Sequence, residues 1–241
     1  MNARAALVAV VALALAALCV RLGSWQLSRW QEKRHANAAL RSALAAPPLP
    51  LRTLVAPPAS LAGRRLIAEG SFDETRHVLL SDRWRKEQPG VELLTPLVLA
   101  DGGTVLVDRG WVPAANGVEA APNAFAQPGP SRVPGLLVPV PRGVRAPAWE
   151  RLPGATPARW SVRALDADTL RARLPGVSAG WVLRALPDSS APSPPLREAP
   201  EPADDGMHLS YAVQWFLFAA ASLAGGAFVI VRGRARSAVA R

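Results

Sequence analysis

The chain has 241 residues, half of them apolar, and a formal net charge of +10. A basic balance of that size raises nucleic acid as a partner, but the distribution excludes it. Every acidic residue lies between Glu32 and Asp205, while the tails carry only Arg4, Arg232, Arg234, Arg236 and Arg241, so the segment between them is close to neutral. The single cysteine, Cys19, excludes an internal disulfide and any CxxC metal or redox motif.

The first element is an apolar run without charge over residues 5–20, which continues past Arg21 to Trp25. At about 1.5 Å per residue, residues 5–25 reach about 30 Å, the depth of a bilayer's hydrocarbon core. Arg21 can snorkel and Trp25 suits the headgroup belt. A cleaved signal peptide would need small residues after the core, where Leu22, Gly23, Ser24 and Trp25 stand. A lipoprotein would need a small residue before Cys19, where Leu18 stands. The run therefore predicts an uncleaved transmembrane helix. Residues 26–46 extend it without a breaker until Pro47, Pro48 and Pro50.

Strand patterns follow at 66–72, 77–83, 91–99 and 104–112, with Asp101-Gly102 as a hairpin turn between the last two. Weaker strand signals lie at 136–140, 159–162 and 181–186. Residues 166–174 predict a short helix with Asp166 as its N-cap, and 113–134 read as loop. The expected domain, residues 47–186, is β-rich with a helix or two, in the form of a small open barrel. A Pro-rich acidic tether over 187–208 leads to a second apolar run, 209–231, whose only strongly polar side chain is Gln214, and a basic tail over 232–241 closes the chain.

The expected fold class is thus membrane α+β: two transmembrane helices flanking a β-rich extracytoplasmic domain. Glu198, Glu201, Asp204 and Asp205 precede the second span and four arginines follow it, which predicts a cytoplasmic C-terminus. Two spans put both termini on that side. Four residues before Ala5 leave no mitochondrial presequence, so the expected location is a bacterial inner membrane.

Few residues suggest chemistry. His77, Ser81 and Asp82 lie on one strand without a nucleophile elbow and read as ordinary surface polar residues. No carboxylate pair sits in an apolar context, and no glycine-rich phosphate loop precedes a helix. No catalytic set emerges, and the expectation is a non-enzyme. Asp108-Arg109-Gly110-Trp111 ends a strand and reads either as a salt bridge with a turn or as a docking surface. His208 enters the second span, with Tyr211, Trp215 and Phe218 at i+3, i+7 and i+10. A neutral imidazole can ligate haem iron and an aromatic stripe can pack a porphyrin. An interfacial histidine with an aromatic belt is the other account. Ala221, Ser222, Gly225 and Gly226 suit close packing, expected against the first span.

Three blocks carry a resemblance. Leu22-Gly23-Ser24-Trp25-Gln26-Leu27-Ser28-Arg29 with Lys33 is one. The second runs from Gly90 through Thr95-Pro96-Leu97 and Asp101-Gly102 to Val105-Leu106-Val107-Asp108-Arg109-Gly110-Trp111-Val112-Pro113. The third is His208-Leu209-Ser210-Tyr211-Ala212 with Gln214-Trp215-Phe216, and Gly70 with Phe72 adds to them. Their order and the two-span layout resemble the Surfeit locus protein 1 family over nearly the whole chain, most weakly between Ala114 and Asp205. Gly206 stands where that family usually has an Asn.

The resemblance implies an assembly factor for haem-copper terminal oxidases (cytochrome c oxidase biogenesis) that binds haem a transiently for insertion into the catalytic subunit. Its implied partners are that subunit and the haem a synthesis machinery, not nucleic acid. The resemblance implicates His208 as the iron ligand; from the position of that residue at the membrane entry, the expected site lays Tyr211, Trp215 and Phe218 along the macrocycle and Arg29 or Lys33 on the propionates. The alternative is a structural membrane scaffold that stabilises an oxidase subunit without touching haem.

Overall fold

The structure, a computed structural model, describes residues 3–51, 61–143, 148–153, 159–204 and 206–239, with side chains described as far as residue 235. It divides into two compact units, a helical one from residues 1–41 and 201–241 and a β-rich one from residues 42–200. In chain order the elements are α1 (Ala3–Ala45), β1 (Leu49–Pro50), β2 (Arg65–Phe72), β3 (Val78–Arg85), β4 (Gln88–Leu99), β5 (Thr104–Pro113), β6 (Pro130–Pro139), β7 (Glu150–Arg151), β8 (Trp160–Val162), α2 (Ala167–Arg173), β9 (Ser178–Ala185) and α3 (Gly206–Val239).

The β-rich unit is organised by β5. Its backbone alternates so that Val105 and Val107 enter one apolar cluster and Leu106 the other. Both faces are buried here, which is why residues 105–107 read as an unbroken apolar run. The first cluster, with Leu66, Ala68, Leu97, Leu137 and Leu183, is packed between β2, β4, β5, β6 and β9. Those five strands pair in the cyclic order β2–β6–β9–β5–β4 and back to β2. The small open barrel expected from the sequence is therefore a closed ring. Closure rests on three pairs, Gly70↔Leu99, Ser71↔Val98 and Phe72↔Leu97. A Cβ on Gly70 would lie 2.0 Å from the Val98 carbonyl oxygen, so only glycine permits the approach.

The other half of β4 leaves the ring and carries β3, β8 and β7 as a sheet extension. The second cluster, including Val78, Leu94, Leu106 and Val182, is covered by α2 through Leu170. Burying that leucine contributes about 2 kcal/mol. Asp166 caps α2, its side chain accepting from the backbone N–H groups of Asp168 and Thr169.

Two expectations need correction in this unit. Residues 130–134, read as loop, open β6, where Ile67 pairs with Pro134 and Gly70 with Ser131. Prolines 130, 134 and 139 mask the strand in sequence, and the neighbouring strands restore it. Residues 187–200, read as a tether, belong to the β-rich unit. β9 pairs with β5 only over Val105–Asp108, leaving the backbone of Trp111 open at that edge. Leu196 fills it: Trp111 N–H donates to its carbonyl at 2.9 Å and its N–H donates to the Trp111 carbonyl at 2.7 Å. Asp205, the last acidic residue, lies outside the described residues.

The helical unit is an antiparallel pair. α1 runs for 43 residues, so the expected extension over 26–46 is continuous with the first apolar run. Both α1 and α3 are long and apolar enough to cross a membrane. They meet along a seam of small residues: Ala16 and Cys19 pack with Ala219 and Trp215. Gly226 approaches Ala12 so closely that a Cβ there would lie 2.6 Å from the alanine methyl. Farther along, Asn37 Nδ2 donates to the Ala203 carbonyl at 2.8 Å, and Ala203 N–H donates to Asn37 Oδ1 at 2.9 Å. The side chains Ala12, Ala16, Cys19, Gly23, Gln26, Lys33 and Asn37 recur at alternating spacings of four and three or their sum, the pattern of a helix-pairing seam.

Candidate functional site

His208 lies in the first turn of α3, after Asp204 Oδ1 accepts from the Gly206 N–H at 3.0 Å and opens the helix. Its ring turns toward α1, where His208 Nδ1 and Gln26 Oε1 are 2.7 Å apart. An amide oxygen can only accept, so Nδ1 carries the hydrogen in this pair. Nε2 has no protein partner among the described residues. One turn above, Ala212 is buried, and Trp215 packs on the same inner face against Ala16, Cys19 and Ala219.

The other residues of the expected site fall elsewhere on the helices. Tyr211 and Phe218 are 47% and 52% exposed on the outer surface of α3, with Phe218 edge-on to Trp215 at 5.9 Å between centroids. Arg29 is held by Glu32 one turn away on α1, its side chain 47% exposed. Lys33 Nζ donates to the Asp204 carbonyl at 2.9 Å. The structure thus brings His208, Gln26 and Trp215 onto the seam and leaves Arg29, Tyr211 and Phe218 off it. Gln26, which the sequence reading did not single out, was findable: it lies within the Trp25-Gln26 block and at a seam position, seven residues beyond Cys19.

The donor chemistry fits one kind of metal group and not another. Among the described residues no cluster of three or more His, Cys, Asp or Glu side chains converges, so no chelating cage exists there. A single imidazole with one nitrogen engaged and the other open is the donor set of an axial ligand, the form in which a protein holds a haem.

The Asp108–Trp111 segment carries the ion pairs that one reading expected, Arg109 with Glu74 at 3.2 Å and Asp108 with Arg184 at 3.5 Å. It is no turn at a strand end: β5 continues through it to Pro113. Arg109 is 0% exposed. Its Nη1 reaches both Glu74 carboxylate oxygens at 3.2 Å, and its Nη2 donates to Gln127 Oε1 at 3.0 Å and to the Phe125 carbonyl. The guanidinium stacks on Phe72 at 4.5 Å. Trp111 lies over Gly90, where a Cβ would come within 2.3 Å of the indole, and its Nε1 donates to the Arg83 carbonyl at 2.9 Å. A ring held this way is an internal brace rather than a docking anchor. Gly110 adopts φ +116°, and a Cβ there would sit 2.4 Å from the Leu196 carbonyl oxygen.

Two titratable groups are buried beside this network. Burial, reinforced by the negative charge of Glu92, pushes the Asp108 carboxyl up to about 7, against the pull of Arg184 and the Gly110 N–H. His77, expected on a surface strand, is buried with Nδ1 3.1 Å from Thr95 Oγ1. Burial lowers its pKa, and Glu74 opposes that. These groups are enclosed by the protein's own side chains, and burial disfavours the charged form of each.

Comparison with known proteins adds the following. The pattern of the SURF1 family matches residues 13–220. A SURF1-like protein of Monosiga brevicollis is 28% identical over 232 residues, spanning 90% of this chain and 85% of that one. SURF1-like proteins of Mycobacterium bovis and Mycobacterium tuberculosis are each 37% identical over 109 residues, covering 43% of this chain and 40% of theirs.

Proposed function

Because the chain belongs to the SURF1 family, known broadly as a family of oxidase assembly factors, we propose that it assembles a haem-copper terminal oxidase by holding haem a transiently and passing it to the catalytic subunit. In this reading α1 and α3 span a bacterial inner membrane, both termini are cytoplasmic, and the β-rich unit is extracytoplasmic. The arginines that follow the apolar run 209–231 and the acidic residues that precede it support that direction. The protein acts by binding and release and is not an enzyme. Its partners are the catalytic oxidase subunit and, upstream, the machinery that makes haem a.

The observation that carries the haem reading is His208, with Nδ1 engaged by Gln26 and Nε2 open. A bound haem would supply an iron that accepts one imidazole lone pair. The chain's own part is to present Nε2 and to offer Trp215 as apolar packing. One protein ligand suits a carrier, because a second strong ligand would slow release.

A second reading is a structural scaffold that clamps an oxidase subunit without haem. It is favoured by Arg29, Tyr211 and Phe218, which do not converge with His208. The two separate on haem per chain. Wild type, His208→Ala and Arg29→Ala are purified from cells that make haem a. The carrier reading expects His208→Ala to lose most of its haem while remaining inserted, and Arg29→Ala to lose little, since its charge is already paired and partly screened. Wild-type haem content in His208→Ala would leave the scaffold reading standing.

A further inference from the structure

The side chain that decides whether His208 can act as a ligand lies on the other helix. A neutral imidazole has one N–H and one lone pair, and the two tautomers place the lone pair on opposite nitrogens. A histidine that merely rests at a membrane surface needs no fixed tautomer, because water and headgroups serve either nitrogen. His208 instead meets Gln26 Oε1 at 2.7 Å, across a sequence separation of 182 residues. The amide oxygen accepts only, so it selects the Nδ1–H tautomer and leaves the lone pair on Nε2. It also fixes the ring plane, because Gln26 sits on a seam whose neighbours, Gly23 against Phe216 and Lys33 on the Asp204 carbonyl, are themselves packed.

The geometry points to Gln26 as a positioning residue: its side-chain oxygen holds His208 in the tautomer and orientation that present Nε2 to an iron, a role that rests on the haem-carrier reading above. Partners of this kind orient imidazole ligands in metal sites generally, and removing one typically weakens binding about tenfold or more. Gln26 touches neither iron nor porphyrin in this account. Its effect passes entirely through the imidazole. A glutamate at position 26 keeps an acceptor oxygen, whereas leucine keeps the volume and removes the acceptor.

The test has two arms on the full-length protein in detergent. In the first, the haem-free protein is labelled with 15N-histidine and its ring nitrogens are observed at pH 8, with His208→Ala identifying the His208 signals. Wild type and Gln26→Glu are expected to show protonated Nδ1 and unprotonated Nε2. Gln26→Leu is expected to shift toward the Nε2–H tautomer. In the second arm each protein is titrated with haemin. Binding is expected to weaken about tenfold in Gln26→Leu, to stay within about twofold of wild type in Gln26→Glu, and to be lost in His208→Ala. If His208→Ala binds haemin as wild type does, the haem-carrier reading fails, whatever the tautomer. If His208→Ala loses haemin but wild-type His208 carries its proton on Nε2, or Gln26→Leu binds unchanged, the carrier reading survives and the role of Gln26 is overturned.

Discussion

Gly110 shows how one residue can carry a structural demand that its neighbours conceal. Its φ of +116° lies where side chains are strained, and the Leu196 carbonyl occupies the space a Cβ would need. Gly110→Ala is expected to destabilise the β-rich unit by about 1–3 kcal/mol, read as a lower midpoint in thermal unfolding, with Gly110→Glu worse. An unchanged midpoint would mean that Leu196 does not close this edge. Asp108, one position before the buried Arg109, makes a prediction with a sign. Its folded pKa of about 7 lies above the ordinary carboxylate value. Its contribution to stability is therefore complete below about pH 4 and is lost as the pH rises through about 7. Asp108→Asn keeps an acceptor for the Gly110 N–H and has no charge to bury. Between pH 5 and pH 8 the wild type should lose stability on the order of 2–4 kcal/mol more than Asp108→Asn. Parallel pH profiles would show that the carboxylate is ionised throughout.

At the scale of elements, the pairing of α1 with α3 depends on what the seam lacks. Apolar side chains gain little by leaving lipid for another helix, so close packing and polar contacts must hold such a pair. Gly226 against Ala12 supplies the packing; Asn37 with Ala203 and Gln26 with His208 supply the polar contacts. Gly226→Leu would force the helices apart, whereas Ala221→Leu falls on an exposed position. The buried Cys19 gives a direct readout, since it shares a cluster with Ala219. Oxidation of Ala219→Cys in membranes should cross-link it to Cys19. Adding Gly226→Leu should reduce the yield several-fold, and adding Ala221→Leu should not. Equal yields in all three would remove Gly226 from the seam.

For the whole molecule, the charge pattern orders the parts. The outward faces of both helices carry large apolar side chains, among them Leu7, Leu13, Leu217 and Phe228. In water these would be a liability; in lipid they are solvated. If the helices span as proposed, a reporter fused after Pro141 should be active only outside the cytoplasm, and one fused after Arg241 only inside. An active cytoplasmic reporter at Pro141 would invert the arrangement and place His208 at the opposite surface.

The sequence alone was enough for the two long apolar helices, because a continuous run of apolar residues is a local property. It was also enough for β2 to β5 and for the cap at Asp166, where alternation and short-range hydrogen bonding are written in neighbouring residues. His208 stood out as a candidate for a similar reason, at the head of a recognisable block. What the sequence did not reveal depends on partners far along the chain. Ring closure needs Gly70 against Val98, β6 needs neighbours on both sides to make a strand of a proline-rich segment, and Leu196 becomes part of the β-rich unit only because β9 ends early. The burial of Arg109 and His77 belongs to the same class, since polarity in sequence says nothing of the partner that offsets desolvation. Helical periodicity placed Tyr211, Trp215 and Phe218 on one broad face, but only the packing of α1 chose Trp215 for the seam and turned His208 to Gln26. Hydrophobic pattern and capping act between near neighbours, whereas pairing edges, buried charges and the orientation of a ring are settled by whichever distant side chain the folded chain brings within reach.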